Sequence, residues 1–218
     1  ADHVWSGEAT GVATKGEGKV VGIIDTGVNT DHPSFADVGG DGYDHTNPYG
    51  AGVYFGDCAT EEWKSLCNDK LVGVVSYPDI TGQYPSYDPD IPANGEDHNG
   101  HGSHTASTAA GNIIENVPLQ GIDGNTVSDG VDQPFNFPKT SGVAPRAHIV
   151  AYQVCWPGNA GDPYVGCPES AILSAFEDAI EDGVDVKCIN ICVTLPIELC
   201  AADDENGSTL IVAGRRFK

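Results

Sequence analysis

Methionine is missing from all 218 residues, and cationic side chains are scarce, with 10 Lys and Arg against 32 Asp and Glu for a formal net charge of −22. A primary translation product begins with Met. The opening Ala1-Asp2-His3-Val4-Trp5 therefore reads as a processed mature form or an excised piece. So few cations argue against gripping nucleic-acid phosphates, which takes clustered Lys and Arg. The same shortage argues against an anionic membrane surface, and no apolar run approaches the ~20 residues that cross a bilayer. Neither nucleic acid nor membrane is expected as a partner.

What is present suits a folded core. Hydrophobic residues make up 39% of the chain, enough for one compact domain or a large piece of one. The acid excess reads first as solubility and second as calcium binding by some of the carboxylates. Asp37, Asp41 and Asp44 share a Gly-rich loop without EF-hand spacing, so a solvated acidic loop is the simpler reading. Seven cysteines are many for a reducing compartment. Cys58 with Cys67, and Cys155 with Cys167, flank loops in which a short bridge is sterically reasonable, which implies an extracellular setting. Cys188, Cys192 and Cys200 leave an odd number. On a strand Cys188 and Cys192 would point the same way, as buried thiols or half of a zinc site, the thiols being the simpler reading.

Several elements are legible from periodicity. Lys19–Asp25 is an apolar run ending in Asp-Thr-Gly, a buried parallel strand with an acid at its C-terminal edge. Leu71–Val75 and Ala147–Val154 read as further strands, and 76–100 as loop. Ser103–Ala110 is small and helix-compatible, stopped by Gly111-Asn112. Residues 113–143 read as an irregular insertion holding a hairpin. Ser170–Asp182 has Ile172, Leu173, Phe176, Ala179 and Ile180 at helical spacing, with Gly183 as cap. Val184–Val193 and Leu210–Ala213 complete the strands. Strand, helix, strand in this order predicts a βαβ unit in a parallel α/β sheet.

Two segments hold side chains suited to chemistry. Asp25 ends a buried strand, where a carboxylate is costly unless paired. It reads as a partner for an imidazole or, more simply, as a strand-end cap. Gly100-His101-Gly102 leaves His101 open to close approach, and an imidazole fixed by a carboxylate is a general base. His98, His101 and His104 also raise a zinc hydrolase. The spacing is against it, because Gly100 and Gly102 argue against helix before Ser103. Even in a helix His98 and His104 would diverge by about 120°.

The run Val20-Val21-Gly22-Ile23-Ile24-Asp25-Thr26-Gly27-Val28, followed by His32-Pro33-Ser34-Phe35, resembles the aspartate motif of the subtilisin-like serine proteases. Gly100-His101-Gly102-Ser103-His104-Thr105-Ala106-Ser107-Thr108-Ala109-Ala110-Gly111 resembles their histidine motif, and Ser141-Gly142-Val143-Ala144-Pro145-Arg146-Ala147 the lead into their next core strand. Gly56-Asp57-Cys58, Cys67-Asn68-Asp69-Lys70-Leu71-Val72-Gly73 and Gln153-Val154-Cys155-Trp156 are similar to the plant-type branch and its secreted bacterial relatives.

The resemblance implies a three-layer α/β subtilisin-like fold with a mostly parallel central sheet, C-terminally incomplete. Residues 1–218 would be the N-terminal part of one catalytic domain. It implies a secreted, monomeric endopeptidase acting on protein or peptide substrates, with Asp25 and His101 as the catalytic pair. Cys192, Val193 and Thr194 would lie along the bound peptide. No cofactor is required, no catalytic metal is expected, and calcium is admitted as a structural ion. His104 would pack behind the site, and Ser103 and Ser107 would be structural.

The chain also departs from the pattern. A Gly-Thr-Ser motif followed by Met-Ala is nowhere in it, so these 218 residues alone are expected to be inactive. Arg215 follows Val212-Ala213-Gly214 where the family has an asparagine whose amide stabilises the oxyanion, a donor worth about 10²–10³ in turnover. Cys192-Val193-Thr194 stands where the family has Ser-Leu-Gly, and Lys187-Cys188 reads as an insertion. All of this follows Val186, so the tail reads as misread or truncated. The competing reading is a non-catalytic fragment or pseudoprotease that binds peptide or calcium.

Overall fold

A computed structural model describes residues 1–121, 131–155, 166–189 and 199–202. Its helices are α1 Asp2–Trp5, α2 Pro78–Thr81, α3 Tyr84–Tyr87, α4 His101–Ala110 and α5 Glu169–Glu181. Its strands are β1 Val20–Asp25, β2 Phe55–Gly56, β3 Leu71–Ser76, β4 Ile114–Gly121, β5 Val131–Thr140, β6 His148–Gln153, β7 Val186–Ile189 and β8 Leu199–Ala202. One sheet has the order β2-β3-β6-β1-β7-β8. Its first five strands run parallel, and β8 pairs antiparallel with β7. The architecture is α/β with a mostly parallel central sheet, as the sequence pattern predicts.

The run Val-Val-Gly-Ile-Ile of β1 is apolar up to the closing Asp25 because both faces of the strand are covered. Val20 and Ile24 join one core cluster with Ala171, Ala175 and Ala179 of α5. Val21 and Ile23 join a second with Ala106 and Ala110 of α4. The two-residue period of the strand thus sorts its side chains between a helix on either face, giving three layers. Parallel pairing sets Asp25 opposite Gln153 at the C-terminal ends of β1 and β6.

Helix α5 ends as predicted. Gly183, at φ 71°, leaves the helix left-handed, and the Gly183 and Val184 amides donate to the carbonyls of Ile180 and Ala179. Its buried stripe is narrower than the periodicity predicts. Ala171, Ala175 and Ala179 bring the backbone close to the sheet, while Leu173 and Ile180 are 63% and 68% exposed. Residues 76–100 are also more ordered than loop. Pro78 starts α2, and Ile80 and Tyr84 are buried in the α5-side core. The predicted hairpin is β4 paired antiparallel with β5.

Both predicted disulfides form, Cys58–Cys67 and Cys155–Cys167. Of the predicted strand Val184–Val193, the described residues place β7 at Val186–Ile189, and 190–193 lie outside the described residues. Cys192, Val193, Thr194, the predicted strand Leu210–Ala213 and Arg215 lie outside the described residues. Among the described residues no helix is long and apolar enough to cross a membrane.

Candidate active site

Strand β1 delivers Asp25 to the sheet's C-terminal edge, where the carboxylate is 1% exposed. Such a group needs partners, and it has them on both oxygens. The Thr26 amide donates to Oδ1 at 2.7 Å. Thr105 Oγ1, one turn into α4, lies 3.1 Å from Oδ2 and 3.0 Å from the His101 carbonyl, so its single proton is shared. The imidazole of His101 completes the set, with Nδ1 2.8 Å from Oδ1. Burial pushes the Asp25 carboxyl up from its ordinary value, while His101, Thr26 and Thr105 pull it down.

His101 is the first residue of α4. The helix begins two residues earlier than the glycines suggest, and both glycines have a reason to be there. Gly100 precedes the helix at φ 93°, a left-handed conformation that disfavours a side chain. Gly102 lies against the turn after β1, where a Cβ would sit 2.2 Å from the Gly27 carbonyl oxygen. That close approach lets the first turn of the helix rest on Thr26-Gly27. The imidazole reaches Asp25 across 76 residues of sequence and remains one-third exposed. With Nδ1–H given to the carboxylate, Nε2 is the basic nitrogen, the arrangement of an oriented general base.

Sequence reasoning missed the residues that hold these two segments together. Thr26 Oγ1 accepts the Gly102 amide at 2.7 Å and donates to Asp97 Oδ1 at 2.9 Å. Asp97 also accepts the amides of Asn99, Gly100 and Ser103 and the Ser103 hydroxyl, at 2.6–2.9 Å. It satisfies the helix N-terminus from three residues before the Gly100 cap position. An acid placed just ahead of a glycine-started helix was the available signal. Gln153 is fully buried beside Asp25. Its amide nitrogen donates to the carbonyls of Thr26 and Glu96, and its oxygen accepts from Tyr84 Oη.

The remaining candidates go separate ways. The ring of His98 meets Tyr84 edge to face at 6.0 Å. His104 does not pack behind the pair. It is exposed and, with His32, Phe35 and Ser103, lines an open cleft of about 280 Å³. The His98-His101-His104 zinc site is thereby lost, and among the described residues no three His, Cys, Asp or Glu side chains are grouped to hold a metal. The hydroxyl of Ser103 is engaged with Asp97 and the Asn29 amide, and that of Ser107 with the His104 carbonyl.

Residues 16–213 match the model of the subtilase family. The subtilisin-like protease SBT4.15 of Arabidopsis thaliana is 35% identical over 172 residues, 79% of this chain and 18% of the relative. SBT5.4 of the same plant is 36% identical over 191 residues, 81% of this chain and 19% of the relative. SBT3.1 is 32% identical over 183 residues, 81% and 21%. The chain thus spans about a fifth of the length of these relatives. A parallel sheet that presents a buried aspartate to a helix-borne histidine, matched along nearly its whole length, places this chain in the subtilase family.

Proposed function

We propose that residues 1–218 are the N-terminal part of the catalytic domain of a secreted serine endopeptidase, and that they carry its base and the carboxylate that orients it. The 2.8 Å contact between buried Asp25 and His101 Nδ1 supports this reading most directly. Asp25 fixes the imidazole tautomer and stabilises the imidazolium. His101 Nε2 takes the proton from a serine hydroxyl as its oxygen attacks the peptide carbonyl. The same proton then goes to the leaving amine, and a water activated by His101 releases the acyl group. These steps need no cofactor. The substrate is a protein or peptide and the enzyme a monomer, with Cys192, Val193 and Thr194 along the bound chain and calcium limited to a structural part. The two disulfides support an extracellular site of action.

A chimera tests the reading. Residues 16–186 replace the matching segment of the Arabidopsis protease SBT4.15, and a fluorophosphonate probe reports a reactive serine. The folded chimera should be labelled, and H101A should abolish labelling, while the 218-residue chain alone stays unlabelled. A folded chimera that ignores the probe, or labelling that survives H101A, would refute the assignment.

A further inference from the structure

We infer that Asp97, acting through the Thr26 hydroxyl, is a positioning residue for the Asp25–His101 pair. The inference rests on the functional reading above. The two members of the pair are each followed by a residue of a second contact. Thr26 comes after Asp25, Gly102 after His101, and the Gly102 amide donates to Thr26 Oγ1 at 2.7 Å. That hydroxyl has one proton, and it goes to Asp97 Oδ1 at 2.9 Å. A hydroxyl that must accept from one side and donate to the other has a fixed rotor only if both partners are in place. Asp97 supplies the acceptor, and its other bonds anchor it to the very turn that carries His101.

The three amides of Asn99, Gly100 and Ser103 converge on this one carboxylate, with the Ser103 hydroxyl beside them. The carboxylate thus links the end of β1 to the start of α4 at the level of the pair. Gly102 has no side chain to add a second grip, and its Cα lies too close to Gly27 to tolerate one. Beside the Thr105 hydroxyl, which also spans Asp25 and α4, Thr26 and Asp97 thus help to set the relative position of Asp25 and His101, and neither touches a reacting atom. Charge-assisted bonds of this kind are about twice as strong as neutral ones, which suits a small clasp with little packing of its own.

Proton NMR of the 218-residue chain tests this without needing turnover. An Nδ1–H proton held between imidazole and carboxylate gives a low-field resonance that exchanges slowly with water. D25N must remove it, and if it does not, the Asp25–His101 reading itself fails. Given that loss, D97A and T26V should each remove the signal or speed its exchange at least about tenfold, and T26S, which keeps the hydroxyl, should restore it. A folded T26V or D97A chain with the wild-type resonance overturns the inference while leaving the pair intact. The unsubstituted chain offers a second reading, since the Gly102 amide must be protected. Rapid exchange of that amide beside a persistent His101 resonance also overturns it.

Discussion

Lys70 reaches across the sheet to the chain entering β6, donating its ammonium to the carbonyl oxygens of Pro145 and Ala147 with no exposure to solvent. Burial pushes its pKa from 10.5 down to about 7. His45 and His148 lie beside it, their rings edge to face at 5.7 Å, and Asp37 and Asp69 accept from those rings through backbone carbonyls. Burial and the Lys70 charge push His45 down to about 4.

A depressed basic pKa means that the unfolded chain holds more protons between the two values. Stability therefore rises with pH across about 7 to 10.5 for Lys70 and about 4 to 6.5 for His45. The Lys70 cost is absent above 10.5 and complete below about 7. Urea unfolding at pH 6.5, 8 and 9.5 should show a rise of up to about 1.4 kcal/mol per pH unit. K70M should flatten that rise, and an unchanged slope in K70M would assign it elsewhere.

Gly102 to Ala reverses an ordinary rule. In a helix interior Ala is favoured over Gly by about 1 kcal/mol. Here the new Cβ meets the Gly27 oxygen at 2.2 Å and the Gly27 nitrogen at 3.0 Å, both backbone atoms that cannot rotate away. The expected result is a loss of about 2 kcal/mol or more, read as a lower thermal midpoint. A G102A chain as stable as the parent would contradict the close approach.

Most of the sheet was legible because strands covered on both faces carry uninterrupted apolar runs, as in Val20–Ile24 and Leu71–Val75. Asp25 and His101 were legible because each stands in a short motif of special backbone. The clasp was not, since Asp97 and Thr26 act through hydrogen bonds that join positions 71 residues apart. Helical spacing also overstated the α5 core, because alanines rather than Leu173 and Ile180 set how closely that helix approaches the sheet.

Asp185 fixes the two neighbouring strand starts. One oxygen accepts the Val20 amide at 2.9 Å and the other the Lys19 ammonium at 2.8 Å. D185A should leave the Val20 N–H unsatisfied at a residue only 3% exposed, at a cost of about 1–3 kcal/mol. K19A, which removes a largely solvent-exposed ion pair, should cost under about 1 kcal/mol. Equal effects in the two variants would show that the backbone contact carries no special weight.

Thiol chemistry checks the covalent frame. Four of the seven cysteines are bonded as Cys58–Cys67 and Cys155–Cys167, so at most three should alkylate without reductant and all seven with it. Mass spectrometry of the labelled chain counts them. Replacing Cys58 and Cys67 together by alanine should lower stability by about 2–4 kcal/mol. Alkylation of either residue in the unreduced chain would contradict the pairing.

The position of β1 has a consequence for synthesis on the ribosome. It is made well before its sheet neighbours β6 and β7, which begin only at residues 148 and 186. For more than 120 residues of elongation, Val-Val-Gly-Ile-Ile-Asp has neither flank of its sheet, an unpaired apolar segment of the kind that joins other chains. The acid excess that gives the full chain its charge of −22 is a composition that opposes association of identical nascent copies until the late strands arrive.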